Sequence, residues 1–166
     1  AECRNRASQY IKFPDYENLE IEYVTDKSWS AYNWFKGNGK SLIQVNVEKP
    51  ISIDEALNLA AHEVYLGHHA SYILLESNLY KKRNWVEFSV NPLFSPLNLI
   101  FEGLAKYGIY VAFPDNERIE FVKEVLFPIA GLDQSQAEKY FQILELLYNL
   151  YYINNEIARD YLDGYI

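Results

Sequence analysis

The hydrophobic period of this 166-residue chain changes once, near Ser52, and that change limits what it can fold into. Before it, Leu19-Glu-Ile-Glu-Tyr-Val24 and Ser41-Leu-Ile-Gln-Val-Asn-Val47 alternate like half-buried strands, with Gly37-Asn38-Gly39 as a loop ahead of the second. After it, Ile53, Ala56, Leu57, Ala60, Ala61 and Val64 recur at helical spacing. Strands followed by helices give an α+β fold, mainly helical: a small antiparallel sheet containing the two runs, then about four helices.

Stop and start signals divide the helical part. Ser52 and Glu55 have capping-box spacing, and the pattern resumes through Tyr72, Ile73, Leu75 and Leu79 to the cations Lys81-Lys82-Arg83. Ser95-Pro96 begins a helix that stops at Pro114, Glu117 to Phe127 forms a shorter one, and Asp133 or Ser135 caps the last. A further helical stretch runs near Glu2 to Ile11. No repeat or linker divides residues 1–166, so they read as a single domain. The lack of methionine and the helical pattern reaching Ile166 suggest the catalytic core of a longer protein.

Composition removes several classes of function. A net charge of -8 repels nucleic acid and anionic membrane surfaces. The lone Cys3 forms no internal disulfide and is too isolated to be a nucleophile. No apolar run approaches the ~18 residues of a membrane span, so the chain reads as soluble and, by default, cytoplasmic. Gly39-Lys40-Ser41 resembles the end of a phosphate loop, but Trp34 occupies the first glycine position and a strand follows. Trp29, Tyr32, Trp34 and Phe35 fit hairpin packing better than a sugar-stacking platform.

All three histidines fall in one window, Ala61-His62-Glu63-Val64-Tyr65-Leu66-Gly67-His68-His69. In a zinc-peptidase helix, two histidines one turn apart hold the metal and the glutamate after the first acts as base. Here Leu66 stands four residues after His62. On an unbroken helix His68 lies about 240° around from His62, and His69 lies ~10 Å further along the axis. A break at Leu66-Gly67 would bring His68 to the second ligand position, since glycine tolerates the backbone angles a looped-out pair needs. The third ligand would be Glu102, on the apolar stripe of the following helix beside Phe101, where an acid requires a partner. His69 is an accessory residue or alternative ligand. Tyr107, about 140° round the helix from Glu102, is a candidate to stabilise an oxyanion.

His62-Glu-Val-Tyr-Leu-Gly-His-His69 followed by Glu102-Gly-Leu-Ala-Lys-Tyr107 resembles the bacterial domain-of-unknown-function 885 family of gluzincin-like metallopeptidases, marked by HExxPGHH and EGxAxY. Trp29, the Ser41-to-Asn46 strand, Asn91 to Pro96 and Val125 to Gly131 extend the similarity over most of the chain. The resemblance implies a zincin-like core, zinc held by His62, His68 and Glu102, and Glu63 as general base. Leu66 stands where the family carries proline.

The expected function is thus a zinc-dependent hydrolase of metallopeptidase type acting on a peptide or amide bond. Ser41 to Val47 would serve as the edge along which a peptide substrate adds. The rival reading is a non-catalytic helical metal-binding or interaction domain. In it the histidines are ordinary hydrogen-bonded residues, and Glu102 pairs with Lys106 one turn away.

Overall fold

Residues 1–114 and 116–166 are described by a computed structural model. The fold is α+β and mainly helical. It begins with α1 (Glu2–Ala7), which stops four residues short of Ile11, and continues with β1 (Asn18–Val24), β2 (Ala31–Gly37) and β3 (Lys40–Asn46). The two strand-like runs do pair with each other, but in parallel. The sheet is therefore mixed, correcting the expected antiparallel arrangement.

The reason lies in the aromatic segment between the two runs. Ala31–Gly37 is itself a strand, joined to β3 through Asn38-Gly39, both at positive φ, as a tight two-residue hairpin requires. The hairpin gives β2 one side of β3 and leaves β1 the other, in the order β1-β3-β2. Residues 25–30 then cross two strand spacings, about 10 Å. Because β3 is central, its edges are both paired, which overturns its expected role as a free edge for peptide addition.

One face of the sheet carries Asn33 and Phe35 of β2 with Ser41 and Ile43 of β3, and Asn33, Ser41 and Ile43 are buried. The other face is a polar ladder: the Trp34 indole donates to Gln44 at 2.8 Å, and Gln44 donates to Glu22 at 2.6 Å. Alternation has thus turned one set of side chains toward the helices and the other toward solvent.

Next come α2 (Ile53–Leu59), running into a π-helical turn at Ala60–Val64, and α3 (His68–Leu75), running into another at Glu76–Lys81. Ser52 is the N-cap of α2 but makes no side-chain capping bond, so the capping box does not form. The Glu76 carboxylate instead accepts from the backbone N–H groups of Asn38 and Gly39, at 2.6 and 3.0 Å, fastening the hairpin to the end of α3.

α4 (Pro96–Ala112) has the expected start: Pro96 occupies its first turn and Ser95 accepts from the Asn98 N–H. Its last turn is held by Arg6, which donates to the Ala112 carbonyl at 2.8 Å and lies 4.1 Å over the Phe113 ring. Leu57, Ala61, Val64, Ile73, Phe101, Ala105 and Ile109 are all buried within this part of the chain.

Backbone packing divides the chain into two units, 1–115 and 116–166. In the second, α5 (Glu117–Phe121), a π-helical turn and α6 (Phe127–Ile129) precede α7 (Ala137–Asp163). Asp133 caps the 3-10 turn before α7 rather than α7 itself. Val122, Phe127 and Ala137 are buried, with the Phe127 ring edge-on to Tyr140. Beyond Ala137 the apolar residues of α7 are largely exposed, Leu146 and Tyr152 among them. Among the described residues, no helix is long and apolar enough to cross a membrane.

Candidate metal centre

The histidine window is broken where an unbroken helix would have separated its ligands. The π-helical turn ends at Val64, Tyr65 is extended, Leu66 adopts φ +73°, and α3 begins afresh at His68. A leucine in the left-handed region costs about 1–2 kcal/mol, and a proline ring could not adopt that angle at all. This chain thus makes its break differently from a proline-directed one.

Two glycines accommodate the break. A Cβ on Gly67 would fall 1.8 Å from the His62 carbonyl oxygen and 2.4 Å from that of Ala61, so only hydrogen fits between the two helical segments. On α4, a Cβ on Gly108 would meet the Leu66 carbonyl oxygen at 2.6 Å. The close approach at Gly108 seats α4, and with it Glu102, against the broken segment.

His62, His68 and Glu102 consequently converge. Each offers one ligand atom, and the three atoms lie within 4.8 Å of one another. His62 Nε2 is 3.5 Å from one Glu102 oxygen and His68 Nε2 is 3.3 Å from the other. The two imidazoles meet edge to face at 4.8 Å. Lys106 makes no ion pair with Glu102 among the described residues, so the carboxylate faces the histidines instead.

Burial holds both histidines below their usual pKa; for His62 the neighbouring His68 adds to it, while the Glu102 charge opposes it at both. Neutral imidazoles are what a metal requires of its ligands. Tetrahedral zinc with bonds near 2.1 Å would space its donors about 3.4 Å apart; each histidine lies close to that distance from a different Glu102 oxygen, and with one donor atom from each residue the set lies within 4.8 Å. The Nδ1 of His68 is buried and has no hydrogen-bond partner among the described residues. Two imidazole nitrogens and a carboxylate are donor types suited to a divalent cation, and the three residues are close enough together to hold one.

Glu63 lies next to this group. Its carboxyl is buried, makes no hydrogen bond among the described residues, and is pushed up to about 7, first by burial and then by the Glu102 charge. The residue is held from its backbone side, where the Asn33 side chain donates to its carbonyl at 2.6 Å.

The other two sequence candidates lie apart from the cluster. His69 is fully buried, with Nδ1 2.7 Å from Ser41 Oγ and Nε2 3.3 Å from Glu17, so both ring nitrogens are engaged away from the cluster. Serine, histidine and acid here have the connectivity of a nucleophilic triad, but Ser41 is only 2% exposed and no substrate reaches it. Tyr65 and the half-exposed Arg4 complete the same network by donating to Glu17 at 2.6 and 2.8 Å. Tyr107 is 63% exposed, its ring lies against Tyr110 at 5.9 Å, and no hydrogen bond joins it to the cluster among the described residues.

The tyrosine beside the site is Tyr72, which the sequence reading passed over. Its ring stacks on His68 at 6.0 Å and 16°, and its hydroxyl accepts from Asn91 at 3.3 Å. The available signal was spacing, because Tyr72 follows His68 by one helical turn. Fifteen tyrosines concealed it. Comparison with protein-family models, curated proteins and solved structures finds no match to the chain.

Proposed function

We propose that the chain carries the reaction centre of a zinc-dependent hydrolase of metallopeptidase type, acting on peptide or other amide bonds. The observation that carries this reading is the convergence of His62, His68 and Glu102 beside a buried Glu63 carboxyl that makes no hydrogen bond among the described residues. The resemblance of the two motifs to gluzincin-like metallopeptidases agrees with it.

His62, His68 and Glu102 would hold the metal. When bound, zinc supplies Lewis acidity, polarising a carbonyl and making water a competent nucleophile near neutral pH. Glu63 takes the proton from the attacking water at a carboxylate oxygen and returns it to the departing amine. Burial raises the affinity of the Glu63 carboxyl for a proton, which favours its taking one from water. Asn33 contributes by fixing the Glu63 backbone, so the carboxyl is positioned from the sheet side.

Metal analysis of the purified chain, combined with amide-hydrolysis assays, tests the proposal. Wild-type chain should retain zinc, His62→Ala and Glu102→Ala should lose it, and Glu63→Gln should keep it while losing turnover by ~10²-fold or more. Hydrolysis that survives Glu63→Gln would overturn the assignment of the base. A chain that takes up no zinc would overturn the centre itself.

A further inference from the structure

A cavity of about 450 Å³ is lined in part by Tyr72, whose ring stacks on His68. Its walls come from β2, the end of α3 with its π-helical turn, and the segment around residues 88–97. Phe35, Tyr72, Leu75, Tyr80, Phe88 and Leu97 are among its apolar lining residues. Phe35 packs on Tyr72 at 5.4 Å, so the two rings make a continuous wall.

The charged groups at its rim are already engaged. Glu76 accepts the two hairpin N–H groups and pairs with Lys81 at 3.4 Å, and Lys36 lies over Trp34. Ser89 and Asn91 also line the cavity, and the buried Asn91 Oδ1 has no hydrogen-bond partner among the described residues, so a guest meets an aromatic and aliphatic wall with one polar acceptor beside it. A site of this size holds a bulky side chain together with some adjoining backbone, within the roughly 300–1,000 Å³ range of small-molecule sites.

Because Tyr72 is both a wall of this cavity and the ring stacked on a candidate ligand, we infer that the cavity is a side-chain subsite of the same reaction centre, taking an aromatic or large aliphatic residue of the substrate. The inference rests on the hydrolase reading for the word substrate; the choice of side chain rests on the cavity alone.

Binding of blocked amino-acid amides, measured by calorimetry and NMR on the full chain with chelator present, separates the two. Acetyl-phenylalanine amide should bind at least about tenfold more tightly than acetyl-glycine amide, and should shift the His68 ring resonances through Tyr72. Val90 lines the cavity and is 67% exposed, so Val90→Trp should fold normally and block it, weakening phenylalanine-amide binding by about tenfold. Tyr80→Ala, at a half-exposed wall position, should weaken it as well.

Equal binding of the two amides, or binding untouched by Val90→Trp in correctly folded protein, would overturn the subsite. Binding that leaves the His68 resonances unmoved would overturn its connection to the centre. Each of those results would leave zinc retention and Glu63-dependent hydrolysis standing. Conversely, loss of zinc chemistry with the amide preference intact would remove the hydrolase reading and leave a ligand pocket for aromatic side chains.

Discussion

Gly108 of α4 sits directly against Leu66: a Cβ at position 108 would approach the Leu66 carbonyl oxygen to 2.6 Å and the Leu66 Cβ to 3.3 Å. This approach matters because Glu102 rides on the same helix and must meet His62 and His68 across the break. Gly108→Ala should therefore destabilise the fold by roughly 1–3 kcal/mol through overpacking, and should weaken metal binding. Gly103 is the control, with nothing within 4 Å of where its Cβ would lie. Gly103→Ala should stabilise the chain by about 0.5–1 kcal/mol. Urea denaturation of the pair checks both signs, and a stabilised Gly108→Ala would refute the packing argument.

Asn33 ties β2 to the residue that carries the proposed base. Asn33→Ala strips the hydrogen bond from the Glu63 carbonyl inside a buried region, at a cost of roughly 1–3 kcal/mol. The expected kinetic signature is lower kcat with zinc content unchanged, because the Asn33 side chain bonds to the Glu63 backbone and, among the described residues, makes no hydrogen bond to the three ligand side chains. Loss of zinc in this variant would show that the bond holds the ligands rather than the base.

Glu17 makes stability depend on pH. Burial would raise its pKa, but hydrogen bonds from Tyr65 and Arg4 outweigh that and hold it below its ordinary 4.5. A carboxyl with a lowered folded-state pKa stabilises the fold at all pH values above its unfolded value, and the contribution disappears as pH falls through the folded one. Melting temperature should thus decline below about pH 4.5, with Glu17→Gln showing a shallower decline over the same interval. Glu17→Ala leaves the Tyr65 hydroxyl and His69 without their acceptor and should cost roughly 1–3 kcal/mol at neutral pH. Thermal melts from pH 3 to 7 supply the comparison.

Zinc should itself stabilise the folded chain. A ligand that binds only the native state at a hundred times its Kd adds about 2.7 kcal/mol. The melting temperature should rise with zinc and return to its starting value with chelator. His68→Ala should abolish the response, whereas Glu63→Gln should retain it. A response undiminished in His68→Ala would place the zinc elsewhere on the chain.

The order of elements was legible because period and capping are local. The change of period at Ser52 separated sheet from helices, and Ser95-Pro96 marked the start of α4. The His62-to-His69 window identified the ligand candidates, and the need for a break at Leu66-Gly67 followed from helical geometry alone. The expected Ser52 capping bond is a different case: the sequence supplied the residues, yet the bond is absent.

What the sequence could not determine was which distant groups meet. The direction of pairing between β1 and β3 depended on the Ala31–Gly37 strand claiming one side of β3, a competition among three segments rather than a property of one. His68 and His69 are adjacent and chemically identical, and only tertiary packing separates them, placing His68 beside Glu102 and His69 against Ser41 and Glu17. Neighbouring side chains at the start of a helix point about 100° apart, so a single turn of α3 serves two different surroundings. Sequence determined the residue types in that window; the fold decided which histidine meets the carboxylate of α4.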